Sequence, residues 1–184
     1  MGAVDKVLRR RLTAIMTMAE FPHYLVDWVQ SYLFGRSIRI TNRAASESQF
    51  TPVTFGIPQG FPLLPFLFNI YTSQLFNFPA RHKTDLKVSY VDNFTLVVTS
   101  NSWLENARLL SLSGNEMQTQ ANSGGMHFDI SKTDLLHLPC KNIIPDKNTT
   151  SVPINGHTIP NNVEERWGGV WLTNNHRPQA HITH

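Results

Sequence analysis

The sequence lacks several features that define specialised classes of protein. It contains one cysteine, Cys140, among 184 residues, which excludes an intramolecular disulfide and a cysteine-based zinc site and fits a reducing compartment. Its longest strongly apolar stretch, residues 61–75, is interrupted by prolines and is shorter than the roughly 20 apolar residues of a membrane span. The first residues include an aspartate and a lysine and form no apolar leader. We therefore expect an intracellular protein, nuclear or cytoplasmic, without a membrane partner.

Charge is sparse and unevenly placed. Charged residues make up 16% of the chain and hydrophobic residues 41%, which is the composition of a folded protein rather than a disordered one. Residues 1–43 hold seven basic and three acidic side chains, although the formal net charge of the whole chain is only +3. A basic first quarter is compatible with a phosphate-backbone partner. A solvated helix face gives the same pattern, so charge leaves both interpretations open.

Helical and strand patterns alternate irregularly along the chain. Apolar residues at helical spacing predict helices over residues 4–18, 22–33, 62–76 and 103–120. Alternating and β-branched runs predict hairpins over residues 86–99 and 152–159, and shorter strands over 37–41, 50–55, 135–138 and 166–172. This irregular alternation favours an α+β fold over a doubly wound parallel sheet.

Two segments contain residue types suited to chemistry. Residues 56–65 read Gly-Ile-Pro-Gln-Gly-Phe-Pro-Leu-Leu-Pro, in which glycines allow a ligand to approach the backbone and Gln59 can donate and accept hydrogen bonds. Residues 90–93 read Tyr-Val-Asp-Asn at a predicted hairpin tip, where a carboxylate could ligate a metal. A strand-to-helix turn and an Asp-Asn turn that satisfies its own backbone explain the same residues, so both interpretations stay open for each segment.

The order of these and four further segments resembles the reverse transcriptases of non-LTR (LINE-like) retrotransposons, particularly fungal ones. Residues 56–65 resemble that family's Gly-x-Pro-Gln-Gly-Ser-Pro-Leu-Ser-Pro motif, and residues 90–93 resemble its Tyr/Phe-Ala-Asp-Asp box. The other similar segments are the end of the first catalytic motif (2–7), the helix after it (21–36), the Lys-Thr-Glu motif (128–134) and the Arg-Trp-Leu-Gly-Val-Trp-Leu-Asp stretch (166–172). Each match is weak alone, but the six follow the family's order over nearly the whole chain.

The resemblance implies an α+β fold with a polymerase palm-like antiparallel sheet packed on helices, incomplete because fingers and thumb are missing. It divides the chain into a partial palm (1–138), a loop (139–150), a primer-grip-like hairpin region (151–172) and a flexible tail (173–184). The implied activity is RNA-templated DNA synthesis by two-metal phosphoryl transfer. The implied partners are an RNA template, a DNA primer and a dNTP, and the implied cofactor is Mg²⁺.

The resemblance also assigns site residues. Asp92 matches a catalytic and metal-binding carboxylate, with Asn93 as its degenerate neighbour, and Trp167 and Gly169 match the primer grip. The residues implied to contact the nucleotide or template are Gly56, Pro58, Gln59, Gly60, Phe61, Pro62, Tyr90 and Lys132. Phe61 replaces a small serine of the family motif, and it could either obstruct the site or fill a gap in the packing.

The carboxylates depart most from the family pattern. Asn93 replaces the second Asp of the box, and the family's first catalytic Asp would lie upstream of Met1, which leaves Asp92 where the family has three acidic side chains. Because Mg²⁺ prefers anionic oxygen ligands, we expect weak or absent magnesium binding and a catalytically inactive copy. The alternative is a non-enzymatic nucleic-acid-binding module derived from a retroelement.

Two further expectations concern association and zinc. Without the strand that carries the first catalytic Asp, the predicted hairpin at residues 86–99 would keep an unpaired edge, through which copies of the chain could associate. Three histidines near the C-terminus, His176, His181 and His184, have no Cys or Glu at ligand spacing, so we expect no zinc site there.

Overall fold

The protein folds as helices combined with short paired strands. A computed structural model describes residues 3–39, 49–76, 86–90, 92–139 and 151–174. The chain divides into a first unit, Met1–Asn77 with Ser123–Met126, and a second unit, Phe78–Asn122 with His127–His184. The α-helices are α1 (Arg9–Met18), α2 (His23–Leu33), α3 (Leu64–Thr72) and α4 (Trp103–Ser123). Short 3-10 helices cover Ala3–Lys6, Ser73–Phe76 and Ile130–Lys132.

The strands pair two at a time. They are β1 (Ser37–Ile38), β2 (Thr51–Pro52), β3 (Leu86–Tyr90), β4 (Asn93–Val97), β5 (Leu135–Leu136), β6 (Val152–Ile154), β7 (His157–Ile159), β8 (Asn161–Asn162), β9 (Glu164–Trp167) and β10 (Val170–Thr173). The pairs β1–β2, β3–β4, β6–β7 and β9–β10 are antiparallel, and β5–β8 is parallel. Helices with small, mainly antiparallel sheets are consistent with the predicted α+β class. Within the described ranges no larger sheet forms, so the palm-like sheet stays a prediction.

The core of the first unit lies between its three helices. Leu12 and Met16 of α1, Val29 and Leu33 of α2 and Leu67 of α3 are at most 1% exposed and belong to one apolar cluster. Burying side chains of this size stabilises a fold by about 1.5–3 kcal/mol each. The predicted helix at residues 22–33 is confirmed in α2, and Gly35 ends it in the left-handed region at φ +69°.

The helix predicted over residues 4–18 is interrupted because two of its carbonyl groups accept hydrogen bonds from the loop at residues 56–62. Residues 4–18 do not form one helix, because the 3-10 helix Ala3–Lys6 is separated from α1 by Val7 and Leu8. The carbonyl oxygen of Val7 accepts from the N–H of Gly56 at 2.8 Å, and that of Val4 accepts from the N–H of Ile57 at 3.2 Å. A continuous α-helix would need both oxygens for its own i→i+4 bonds. The chain turns at Leu8 instead and restarts as α1.

The second unit packs its hairpins on α4. Its core contains Ala107 of α4 together with Leu135, Val152 and Ile159 from three strands. The β6–β7 hairpin lies so close to α4 that a Cβ on Gly114 would come within 2.8 Å of Ile154 Cδ1. The predicted Asn-Gly turn is confirmed, since Asn155 and Gly156 have φ of +50° and +78°.

Other expectations are wrong or lie outside the described residues. The single strand predicted over residues 166–172 is a hairpin, because Gly168 and Gly169 both have positive φ and reverse the chain between β9 and β10. The strand predicted at 135–138 is shorter and pairs in parallel with β8, which no sequence pattern suggested. Residues 140–150 and 175–184, with the three C-terminal histidines, lie outside the described ranges. Among the helices that the structure describes, none is long and apolar enough to cross a bilayer.

The buried hydroxyl of Tyr71 gives a test of the first unit. Tyr71 is 1% exposed, its hydroxyl donates to the Gly124 carbonyl at 3.0 Å, and it accepts from the Leu8 N–H at 3.4 Å. Tyr71→Phe removes these bonds while keeping the ring, so we expect it to lower the free energy of unfolding by about 1–2 kcal/mol in urea titrations followed by circular dichroism. Tyr24→Phe is the matched control, because Tyr24 is 76% exposed. Equal stabilities of the two variants would contradict the role of the Tyr71 hydroxyl.

Candidate functional site

The loop at residues 56–62 leads from β2 to α3. Its first two residues form hydrogen bonds with the segment that precedes α1. Gly56 and Ile57 are buried, and their N–H groups bond the carbonyls of Val7 and Val4 as described above. Gly56 has φ +81°, and a Cβ at this position would lie 2.9 Å from the backbone oxygen of Asp5. Position 56 therefore requires glycine for two reasons, its left-handed backbone conformation and the close approach of the Asp5 backbone.

The guanidinium of Arg9 fixes the same loop from the side of α1. Its Nε donates to the carbonyl of Gly56 at 2.9 Å and its Nη2 to that of Phe55 at 3.1 Å, while Nη1 donates to that of Val53. Arg9 is 4% exposed, and burial lowers its pKa, an effect to which the positive charge of Arg36 adds. An arginine side chain has five donors in a rigid fork, so it can satisfy three carbonyls that diverge from one turn.

The outer part of the loop presents its polar and aromatic residues. Gln59 donates from Nε2 to Asp5 Oδ1 at 3.1 Å, and Gly60 has φ +81° with open space where a Cβ would lie. Phe61 stacks on Tyr32 of α2 with a centroid distance of 4.2 Å. It packs against the first core, so Phe61 fills a gap beside α2. Pro62 is exposed at the end of the loop.

The Asp92 hairpin belongs to the second unit. Strands β3 and β4 pair in a register that sets Tyr90 opposite Asn93, and Asp92 directly precedes β4 at the tip. The side chains of Tyr90, Asp92 and Asn93 are all exposed. The predicted hairpin thus presents its one carboxylate and one amide to solvent from the end of a regular ladder.

Two other predicted segments meet this hairpin. Trp167 of β9 donates from Nε1 to Thr95 Oγ1 at 2.9 Å, and Gly169 lies in the β9–β10 turn with φ +87°. Phe128 packs edge-on against Phe94 of β4 with a centroid distance of 6.1 Å, and the chain continues from it to Lys132. Lys132 is exposed and lies 3.9 Å from Asp129 Oδ2. The second unit therefore contains three of the segments that resemble the family, at residues 90–93, 128–134 and 166–172, and the last two contact strand β4.

The donor set at the hairpin tip does not fit a pair of divalent cations. Asp92 supplies an anionic oxygen, whereas the amide oxygen of Asn93 has no formal charge. Over the described ranges no group of three or more His, Cys, Asp or Glu side chains is arranged to hold a metal ion. A two-metal centre needs more negative charge than this hairpin supplies.

Residues of both units match the model of a known family, whereas the segment at 166–172 lies beyond the match. A family model described as Reverse transcriptase (RNA-dependent DNA polymerase) matches residues 1–162. The chain belongs to the reverse transcriptase family. No curated protein and no solved structure matches it. As a reverse transcriptase domain it belongs to a group of polymerases that bind template, primer and dNTP and generally use divalent metal ions.

The sequence pattern does not reveal several residues that hold these segments in place. The charge pattern places Arg9 only in the basic first quarter, yet it lies three and seven residues before Leu12 and Met16, on the apolar face of α1. That spacing was the available signal that its side chain points inward. Tyr32 under Phe61 and Thr95 under Trp167 carry no comparable signal, because both contacts join segments that are distant in sequence.

Gly56 and Gly60 allow the cost of a left-handed backbone to be measured separately from the cost of a steric clash. Gly56 and Gly60 have the same φ of +81°, but only Gly56 faces a neighbouring backbone. We expect Gly60→Ala to lower the free energy of unfolding by about 1 kcal/mol, the cost of a left-handed alanine. We expect Gly56→Ala to lower it by about 2–4 kcal/mol because the Asp5 backbone must also move. Chemical denaturation of both variants tests this, and equal losses would contradict the steric argument.

The Arg9 contacts predict a second difference in stability. Arg9→Met keeps the apolar stem but leaves the carbonyls of Val53, Phe55 and Gly56 without their donor. We expect a loss of about 2–4 kcal/mol in the free energy of unfolding. Arg10→Met is the matched control, because Arg10 is exposed and should change stability by less than about 0.5 kcal/mol. A loss at Arg10 as large as that at Arg9 would show that helix propensity or net charge, not the carbonyl contacts, is responsible.

Proposed function

We propose that the chain is the reverse transcriptase region of a non-LTR retrotransposon, with its palm in residues 1–138, and that this copy does not catalyse DNA synthesis. The retrotransposon origin is supported by the order of the six motif segments, which follows that of the non-LTR family. The matching regions adopt suitable local forms, namely a buried-glycine loop at residues 56–62 and a regular hairpin with Asp92 at its tip. The hydrogen bond from Trp167 Nε1 to Thr95 Oγ1 of β4 supports a primer-grip-like role for the β9–β10 hairpin.

The proposed inactivity is carried by one observation, the single carboxylate at the hairpin tip. Two cations, the triphosphate and the primer hydroxyl can share one site only if protein carboxylates offset the positive charge. Asn93 has nearly the shape of aspartate but no charge, and no cluster of three ligand side chains occurs in the described ranges to replace it. We therefore propose that Mg²⁺, the family's cofactor, binds weakly or not at all at Asp92 and Asn93.

Nucleic-acid binding is the activity that such a chain would keep. Contacts with template and primer depend on loop shape, aromatic faces and basic side chains, none of which requires the metal. The residues proposed for this role are the Gly56–Pro62 loop residues Gly56, Pro58, Gln59, Gly60, Phe61 and Pro62, together with Tyr90, Lys132, Trp167 and Gly169. A non-enzymatic module derived from a retroelement is thus the second candidate function, and it is favoured by the exposed Lys132 and Trp167.

Primer extension tests the proposed inactivity. We expect the purified chain, given an RNA template, a labelled DNA primer, dNTPs and either Mg²⁺ or Mn²⁺, to add no nucleotides above the level of its own Asp92→Ala variant. Asn93→Asp should not restore extension, because no group of three His, Cys, Asp or Glu side chains among the described residues is arranged to complete a ligand set.

Two outcomes would overturn this proposal. The first is template-dependent extension by the unmodified chain that Asp92→Ala abolishes, since Asp92 would then work with Asn93 as it stands. The second is recovery of extension by Asn93→Asp alone, which would mean that the remaining ligands are in place. Thermal unfolding of both variants is the control, and neither exposed substitution should change the midpoint.

A further inference from the structure

An open cavity of about 720 Å³ lies in the first unit, where the start of α1, the end of α2 and the β1–β2 pair meet. Its wall is formed by residues 8–11, 34–37 and 52–54, most of which are exposed, so the cavity opens to solvent. Ligand sites commonly have volumes of about 300–1,000 Å³. We call it the arginine-lined cavity, because the charged residues on its wall are Arg9, Arg10, Arg11 and Arg36.

The arginine charges of this cavity have no acidic partner among the described residues. Arg9 is 4% exposed, and its guanidinium bonds only to backbone carbonyls. The ion pairs within the described ranges involve Arg108 and Lys132, not the arginines of the cavity. A buried charge is unfavourable unless an opposite charge accompanies it. The arginine-lined cavity therefore favours an anionic group on its ligand.

The described acidic residues of the first unit lie elsewhere. Asp5 accepts a hydrogen bond from Gln59, and Glu20 follows the end of α1. Asp27 belongs to α2 but precedes Phe34 by seven residues, about 10 Å along the helix axis. None of the three acidic residues lines the arginine-lined cavity. The positive charge on its wall is thus not offset from within the described part of this unit.

Arg36 is held in position before any ligand binds. Its Nη1 donates to the carbonyl of Tyr32 at 3.4 Å, and its guanidinium lies 5.0 Å from the centroid of the Tyr32 ring. This bond uses one of the five N–H donors of a guanidinium. Arg10 is exposed on the first turn of α1, whereas Arg11 already bonds Ser123 and Gln74. Arg36 and Arg10 are therefore the arginines that can bind a ligand directly, and the fixed position of Arg36 reduces the entropy that binding costs.

Apolar side chains lie between the arginines. Leu8 is 46% exposed and Phe34 is 37% exposed, and both line the arginine-lined cavity together with the exposed Pro52. A ligand that carried charge alone would leave these side chains in contact with water. The wall therefore matches a ligand that has anionic and apolar groups close together.

We infer that the arginine-lined cavity binds an acidic peptide segment of a partner protein, in which aspartate or glutamate residues stand beside large apolar residues. The carboxylates pair with Arg36 and Arg10, for which the planar fork of a guanidinium is well suited. Their negative charge also offsets the charge of Arg9 at the base of the cavity. The apolar side chains of the segment cover Leu8 and Phe34.

This inference is independent of the proposed function. The arginine-lined cavity includes none of the residues proposed to contact template, primer, nucleotide or metal. Phosphates of a nucleic acid would neutralise the arginines but bring no aliphatic group to Leu8 and Phe34. A wholly apolar segment would cover those two side chains but leave the arginines without counter-charges. A segment with both kinds of side chain satisfies the whole wall.

Peptide binding to the full 184-residue chain tests the inference. The probe is a fluorescein-labelled synthetic peptide of about eight residues, some 28 Å long when extended, in which Glu alternates with Leu or Phe. One control peptide has Gln in place of every Glu, and the other has Ser in place of every apolar residue. Fluorescence anisotropy should give a Kd below about 1 mM for the probe and at least about tenfold weaker binding of each control. Added salt should weaken binding of the probe, because charge pairing contributes to it.

Variants of the chain show where the probe binds. Arg36→Ala and Arg10→Ala should each weaken probe binding by about 3- to 30-fold and leave binding of the Gln peptide unchanged. Arg36→Lys should retain part of the affinity, because it keeps the charge but loses the fork. Phe34→Ser should weaken binding of the probe but not of the Ser peptide. Arg108→Ala is the control, since Arg108 is exposed on α4 of the second unit. Circular dichroism establishes that each variant is folded, and Arg36→Lys replaces Arg36→Ala if the latter unfolds.

Each of the following results would overturn the inference. The probe fails to bind at about 1 mM, the Glu and Gln peptides bind equally, or Arg36→Ala and Arg10→Ala keep full affinity. A single-stranded oligonucleotide with the same number of charges that displaces the probe at an equal or lower concentration would assign the cavity to nucleic acid instead. Self-association in sedimentation that Arg36→Ala abolishes and Arg108→Ala does not would assign it to a second copy of the chain.

Discussion

The buried guanidinium of Arg9 is the interaction on which the first unit depends. The segment from β2 to Ile57 has no regular structure to satisfy its carbonyls, and it must still pass over the hydrophobic core. Arg9 supplies donors for three of those carbonyls from one position on α1, and the N–H groups of Gly56 and Ile57 find acceptors in Val7 and Val4. Backbone groups that a buried loop would otherwise leave unpaired are thereby satisfied.

This arrangement has consequences in both directions along the chain. The start of the protein gives up a continuous helix, because the carbonyls of Val4 and Val7 serve the loop instead of α1. The loop in turn needs glycine at position 56, since the Asp5 backbone lies where a Cβ would be. Charge is a third consequence. A buried arginine paired with carbonyls keeps its positive charge, and with Arg10, Arg11 and Arg36 it lines a cavity of about 720 Å³ that is therefore basic.

Much of the local structure could be predicted because it rests on short-range rules. The helix over α2, the hairpin at β3–β4 and the Asn155-Gly156 turn follow from apolar spacing, from strand length and from residues that tolerate positive φ. The prediction of one strand over 166–172 is wrong because Gly168 and Gly169, both at positive φ, form a turn inside it. The parallel β5–β8 pairing, the Arg9 fork and the Trp167–Thr95 bond join segments far apart in sequence, and no periodicity encodes such partners.

The candidate site contains residues that stabilise the fold and residues that do not. Gly56, Ile57 and Arg9 are buried and bonded, so the motif loop cannot change at these positions without cost to stability. Asp92 and Asn93 are exposed at a hairpin tip whose ladder is closed by the pairing of Tyr90 with Asn93 through the backbone. Aspartate and asparagine are equally suited to a turn, so exchanging them there leaves folding untouched while it changes the charge at the position that we propose for the metal. If the proposed function is right, asparagine at residue 93 removes the metal-binding chemistry while the loop, the core and the arginine-lined cavity of the first unit stay intact.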